Sequence, residues 1–217
     1  MQPEYFRAIC TRYNFGAIRD SIRPAIIDTI DEFNWRGFFD IQPDRIIHRQ
    51  SGNCIVFKGL KKSELTQQKG KAYQGFNVFI VEEAQEWTRG DEFFEWFRSF
   101  RVEGQHNRAI LVLNPTHREH WIHQRFYTDL RIPDGFNGID QSGMYVRYIH
   151  SSYRVCEKHL PPNILRELDA LKEIDPKAFQ NIVEGGWIDD DDSALFRWEW
   201  IQRNRLDKKA AYGLREY

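Results

Sequence analysis

Val78-Phe79-Ile80-Val81-Glu82-Glu83 is an apolar run that ends in two adjacent carboxylates. Four apolar residues, β-branched or aromatic, run together and stop at two acids. The run starts at Phe76, behind Gly75, and from Val78 on it shows no polar alternation. Such a segment is a strand buried on both faces, as in parallel sheets covered by helices. Residues 109–113 form a second apolar run, stopped by Asn114-Pro115 because proline cannot continue a central strand. Residues 6–10 read as a short first strand and residues 144–149 as a third central strand.

Helices lie between these runs. Ile22, Ile26, Ile27, Ile30 and Phe33 recur at helical spacing, with Asp20 or Ser21 as cap and Pro24 in the first turn. Residues 45–48 and 54–58 flank Gln50-Ser51-Gly52-Asn53, which has turn chemistry, so they form a hairpin. Residues 60–75 read as a polar loop, 91–100 as a short aromatic helix, and 118–130 as a helix with Trp121, Ile122, Phe126 and Leu130 inward. Strands alternating with helices predict an α/β fold with a mostly parallel sheet. After Ser151 the character changes. Residues 162–174 and 176–183 read as helices opened by proline, and 195–206 as a last one, while 133–143 is loop. The expected organisation is an α/β domain over residues 1–150 and a helical appendage over 151–217.

Bulk composition removes several classes. A chain of 217 residues with 29% charged residues suits one sizeable globular α/β domain. A net charge of -1 argues against a free-standing nucleic-acid binder, which is usually basic. Cys10, Cys54 and Cys156 are odd in number and form no CxxC pair, so neither a disulfide framework nor a thiolate zinc site is expected, and a reducing cytoplasm fits. No apolar run approaches the roughly 18–20 residues of a membrane span, and the N-terminus does not read as a signal peptide.

The acid pair carries the chemistry. A buried parallel strand delivers its last side chains to the crevice where open α/β sheets bind ligands. Residues 78–83 have the form of a Walker B element, in which the first acid, Glu82, holds the water shell of Mg²⁺ on a nucleotide. The second, Glu83, orients and polarises the attacking water. Asn114, at the end of the next strand, both donates and accepts hydrogen bonds and suits a sensor of the γ-phosphate. The plainer readings are a strand with two surface glutamates and an Asn-Pro turn.

Taken together, Gly75-Phe76-Asn77-Val78-Phe79-Ile80-Val81-Glu82-Glu83-Ala84 and the later Leu113-Asn114-Pro115 resemble the large subunits of tailed-phage terminases. Three other stretches match in the same order: Arg12 with Ile18-Arg19-Asp20-Ser21, then residues 52–60, then Asp175-Pro176 to Gly185 with residues 195–200. The resemblance covers roughly residues 5–205. It implies the ATPase domain of a DNA-packaging motor, with a mostly parallel sheet of the P-loop type, working as a homo-oligomeric ring. Its implied cofactors are ATP and Mg²⁺. Its implied partners are double-stranded DNA, a portal protein and a small terminase subunit, in the cytoplasm of the bacterial host and with no membrane. By the same resemblance Glu82 organises Mg²⁺, Glu83 is the general base, Asn114 couples hydrolysis to movement, and Arg12 faces phosphate or forms a surface ion pair. Lys71 matches a family lysine, though a solvated loop lysine is the plainer reading.

Two departures qualify this. No G-x-x-x-x-G-K-[ST] occurs in the 217 residues, and Gly70-Lys71-Ala72 lacks the earlier glycine and the hydroxyl. Without that loop the phosphates have no cradle, so the chain alone is expected to bind ATP poorly, with an exposed sheet edge or gap where the P-loop strand belongs. No nuclease activity is expected either, since Asp189-Asp190-Asp191-Asp192 on a turn does not converge on one ion. His117, His120 and His123 read as surface or half-buried histidines. The rings of Phe93, Phe94, Trp96, Phe97 and Phe100 read as core. Competing functions are a non-catalytic relic or accessory protein that keeps the fold for partner binding, and a fragment of another P-loop translocase or helicase.

Overall fold

The computed structural model describes residues 4–13, 22–59, 74–141 and 145–189. The chain packs as two units, Met1–Asn114 and Pro115–Tyr217. The packing boundary falls after Asn114. The expected helix over residues 195–206, the cap at Asp20 or Ser21, Lys71 and Asp190 to Asp192 lie outside the described residues.

The first unit holds β1 (Arg7–Arg12), α1 (Ile22–Glu32), β2 (Phe39–Ile41), β3 (Arg45–His48), β4 (Cys54–Phe57), β5 (Val78–Glu82), α2 (Gly90–Phe97) and β6 (Arg108–Leu111). These strands form one six-stranded sheet in the order β2-β3-β4-β1-β5-β6. Strands β4, β1, β5 and β6 run parallel, and β2, β3 and β4 pair antiparallel. The class is α/β with a mostly parallel sheet, as expected. Strands β3 and β4 are the expected hairpin, and Gly52 takes φ +71° in its turn, a value glycine adopts without steric cost. Strand β2 was not foreseen.

Register explains the two faces. Side-by-side partners in a parallel pair share a face, so Cys10, Ile80 and Phe57 point one way, as do Ile46 and Ile55 on the hairpin. Ile22, Ile26, Ile27 and Ile30 of α1 cover that face, at the spacing that puts one stripe of a helix inward. Ile9, Phe79 and Val81 are buried on the other face. There Phe79 stacks on Phe100 and Phe93 with ring centroids 4.7 and 5.8 Å apart, and Trp87 meets it edge-on at 6.1 Å. The aromatic helix is therefore core packing. Buried Asn77 fixes the start of the sheet: its side chain accepts from Arg7 N at 2.9 Å and donates to Tyr5 O at 3.1 Å. Both ends of that amide are satisfied, which matters because an unpaired buried polar group costs about 1–3 kcal/mol.

The second unit holds α3 (Trp121–His123), which runs on into a π turn at Gln124–Thr128, then β7 (Gly138–Asp140), β8 (Val146–Tyr148), α4 (Pro162–Ile174) and α5 (Pro176–Ala178), which runs into a second π turn at Phe179–Val183. Two expectations are corrected here. Val146–Tyr148 is not a central strand; it pairs antiparallel with Gly138–Asp140 in a separate two-stranded sheet. The segment read as one helix over 118–130 is a single α turn followed by a π turn. Helices α4 and α5 do open on Pro162 and Pro176, and Asp175 caps α5 by accepting from Ala178 N at 2.9 Å. Among the described residues no helix is long and apolar enough to cross a membrane.

Candidate functional site

Parallel strands deliver their last residues to one edge of the sheet. At the carboxyl end of β5 the register sets Arg12 of β1 beside Glu82. On the other side of β5, Val81 pairs with Leu111 of β6, which carries the chain to Asn114 three residues later. The strand ends that bear Arg12, Glu82-Glu83 and Asn114 therefore lie side by side. Glu82 and Glu83 are half-buried and Asn114 is exposed.

The backbone at Glu83 is unusual. It sits in the left-handed region, with φ +49° and ψ +50°. A non-glycine residue there costs roughly 1–3 kcal/mol, and such strain gathers at functional sites. The conformation turns the chain sharply into a 3-10 turn at Ala84–Glu86, locked by Ala84 N donating to Val112 O at 2.9 Å. Ala84 is buried against that strand end, so a larger side chain would not fit without displacement.

This turn brings two unforeseen side chains back over the strand ends. Glu86 grips Arg12: Nη2 donates to Oε1 at 2.6 Å, and Nε lies 3.2 Å from each carboxylate oxygen. The hydrogen bond to Glu86 is the main reason the Arg12 guanidinium holds its proton more tightly than usual, followed by the charges of Glu86, Glu83 and Glu82. Arg12 thus makes an ion pair while standing in the field of all three acids. Gln85 donates its amide Nε2 to the Glu83 carboxylate and accepts from Asn114 N at 3.2 Å. On β1, burial first and the charge of Glu82 second push the Cys10 thiol up to about 12.

The donor set can be tested against the implied cofactor. Mg²⁺ keeps several waters and is held by one or two carboxylates together with substrate phosphates. Glu82, half-buried at a strand end, is a carboxylate of that kind. Among the described residues no group of three or more histidine, cysteine, aspartate or glutamate side chains could hold a metal ion.

In the second unit the three histidines have separate roles. His120 caps α3 by accepting from Ile122 N at 3.3 Å. His123 is buried, with Nε2 3.1 Å from Asp134 and its ring stacked on Tyr127 at 5.3 Å. Arg118 bridges Asp134 at 2.6 Å and Asp189 at 2.8 Å. His117 joins residue 188 through an isolated β-bridge.

Comparison with known proteins agrees with this architecture. A PBSX phage terminase large subunit of Bacillus subtilis (strain 168) is 24% identical over 187 residues, which is 82% of this chain and 42% of that protein. The large terminase of a thermophilic bacteriophage superposes with a TM-score of 0.61 at 11% identity, over 85% of this chain and 41% of that one. The same terminase in complex with ADP gives 0.57 at 13% identity, over 86% and 42%. The chain thus spans about two fifths of the length of these relatives. The sequence profile of the phage terminase large subunit covers residues 4–186, through both units and every element that frames the acid pair. The chain belongs to the phage terminase large subunit family.

Proposed function

We propose that this chain supplies the hydrolytic half of the ATPase site of a DNA-packaging motor. The observation that supports this best is the alignment of three neighbouring strand ends, which sets Glu82 and Glu83 between Arg12 and Asn114. Glu82 would anchor the water shell of the nucleotide's Mg²⁺. Glu83 takes the proton of the attacking water and fixes its line of approach. Asn114 reads the γ-phosphate and passes its loss to the chain that follows. Arg12 balances charge near the leaving phosphate once Glu86 releases it. Bound Mg²⁺ would neutralise charge on the phosphate oxygens.

The phosphate cradle comes from residues outside these 217. Among the described residues β6 pairs only with β5, and Ile110 and Val112 at its end are 44% and 50% exposed. An apolar edge strand of this kind invites a further strand. A parallel strand leading into a phosphate-binding loop would enter there, beside Asn114. The 217 residues by themselves then bind ATP weakly and turn it over negligibly. In the complete motor the partners are double-stranded DNA, a portal and a small subunit, around a ring of copies in the host cytoplasm.

Glu82→Ala in the complete large subunit tests the assignment. ATP binding should lose its dependence on Mg²⁺. An unchanged Mg²⁺ dependence removes Glu82 from the site. A complete subunit that binds no ATP favours the alternative of a fold kept for partner binding.

A further inference from the structure

We infer that Gln85 is a positioning residue that ties the Glu83 carboxylate to the strand end bearing Asn114. The inference rests on the reading of Glu83 as general base and adds a residue that the sequence did not single out.

The geometry leaves little freedom in the assignment. A carboxylate only accepts hydrogen bonds, and a backbone N–H only donates. The Gln85 amide therefore turns its NH₂ to Glu83 Oε2 and its oxygen to Asn114 N, which donates at 3.2 Å. The usual ambiguity of a glutamine side chain is removed by its two partners. Gln85 is half-buried and stands in the 3-10 turn that the left-handed Glu83 creates. The same turn is fixed to the neighbouring strand by Ala84 N and Val112 O at 2.9 Å. One side chain thus joins the two elements that face a γ-phosphate from different strands.

The consequence is mechanical. A glutamate side chain has three rotatable bonds, and a general base contributes only when it stands within hydrogen-bond reach of the water it activates. The Gln85 amide holds one carboxylate oxygen of Glu83 and leaves the other for water. It also makes the direction of that carboxylate depend on the position of Asn114 N. A movement of the β6 end on loss of the γ-phosphate would pull the amide and turn Glu83. Gln85 touches no reacting atom, and its effect passes through Glu83.

The test uses Gln85→Met, which keeps the length and removes both hydrogen bonds. In the complete large subunit its kcat should fall about tenfold, while KM for ATP and the melting temperature stay at the parent values. Glu83→Gln, assayed beside it, should abolish turnover. In the 217-residue chain the Asn114 amide should exchange with solvent at least about tenfold faster in Gln85→Met than in the parent, a readout that needs no activity. Three results would overturn the inference. One is a Gln85→Met kcat within twofold of the parent where Glu83→Gln is dead. Another is a fall in kcat matched by a rise in KM or a drop in melting temperature, which would make the role structural. The third is unchanged Asn114 exchange. Normal turnover by Glu83→Gln removes the general base itself and is thereby distinguished from failure of Gln85 alone.

Discussion

Replacing Phe79 by alanine probes the scaffold that holds the acid pair. Phe79 is fully buried on β5, three residues before Glu82, among Phe93, Phe100 and Trp87. Returning a phenylalanine side chain to water costs about 1.5–3 kcal/mol, and losing its stacked and edge-on partners adds about 1. The cavity left in a sheet clamped between β1 and β6 brings the total to about 3–5 kcal/mol, the usual range for this substitution. Total stabilities run at about 5–15 kcal/mol, so the variant should be severely weakened. Urea denaturation followed by circular dichroism reads this directly. With a slope of about 2 kcal/mol/M, the midpoint should fall by about 2 M at unchanged slope. Ile110→Ala, at a position 44% exposed on the open edge, serves as control and should cost under about 1 kcal/mol. A loss below about 1.5 kcal/mol for Phe79→Ala, or an equal loss for Ile110→Ala, would refute the packing argument.

The Arg12–Glu86 pair is about one fifth exposed on each side, so solvent screening limits it to about 1 kcal/mol of coupling. A double-mutant cycle of Arg12→Ala and Glu86→Ala measures this, and a coupling below about 0.3 kcal/mol would contradict the pairing. Cys156 is exposed whereas Cys10 and Cys54 are buried, so a disulfide reagent should titrate one thiol in the native chain and three after unfolding. Fast reaction of Cys10 would show that β1 opens. Burial first, and then Tyr127 and Asp140, push the Tyr148 phenol up from 10.0 to about 12. The folded state then keeps that proton while the unfolded chain sheds it, so this contribution is intact below pH 10 and is lost as pH rises from 10 to about 12. Tyr148→Phe should flatten the fall in stability across that window, and an unchanged slope would remove Tyr148 as its source.

The strands of the main sheet were legible because burial on both faces writes itself as unbroken apolar runs, as at residues 78–81. The helix over Ile22, Ile26, Ile27 and Ile30 was legible from its period. Two kinds of feature were not. Short elements fixed by their neighbours left no pattern: β2 has three residues, and Val146–Tyr148 pairs across a hairpin whose other strand, Gly138–Asp140, reads as loop. Its alternation of apolar Val146, polar Arg147 and buried Tyr148 suits a half-buried antiparallel strand better than a central one. The second kind hangs on a single backbone angle. Glu82, Glu83, Asn114 and Arg12 were visible as strand-end residues. Gln85 and Glu86 were not, because only the left-handed turn at Glu83 folds them back. No local signal marks a glutamate for that conformation, which glycine or asparagine would ordinarily supply.

If Glu83 activates the water that cleaves ATP, an amide in its place binds nucleotide but cannot start cleavage. Single-turnover hydrolysis by the complete large subunit carrying Glu83→Gln isolates this step, with nucleotide binding measured on the same sample. The amide keeps the size and the partner Gln85 but cannot take a proton. ATP should bind as tightly as in the parent, with no cleavage on the parent's timescale. Cleavage at the parent rate would contradict it and reduce the acid pair to an ordinary strand end.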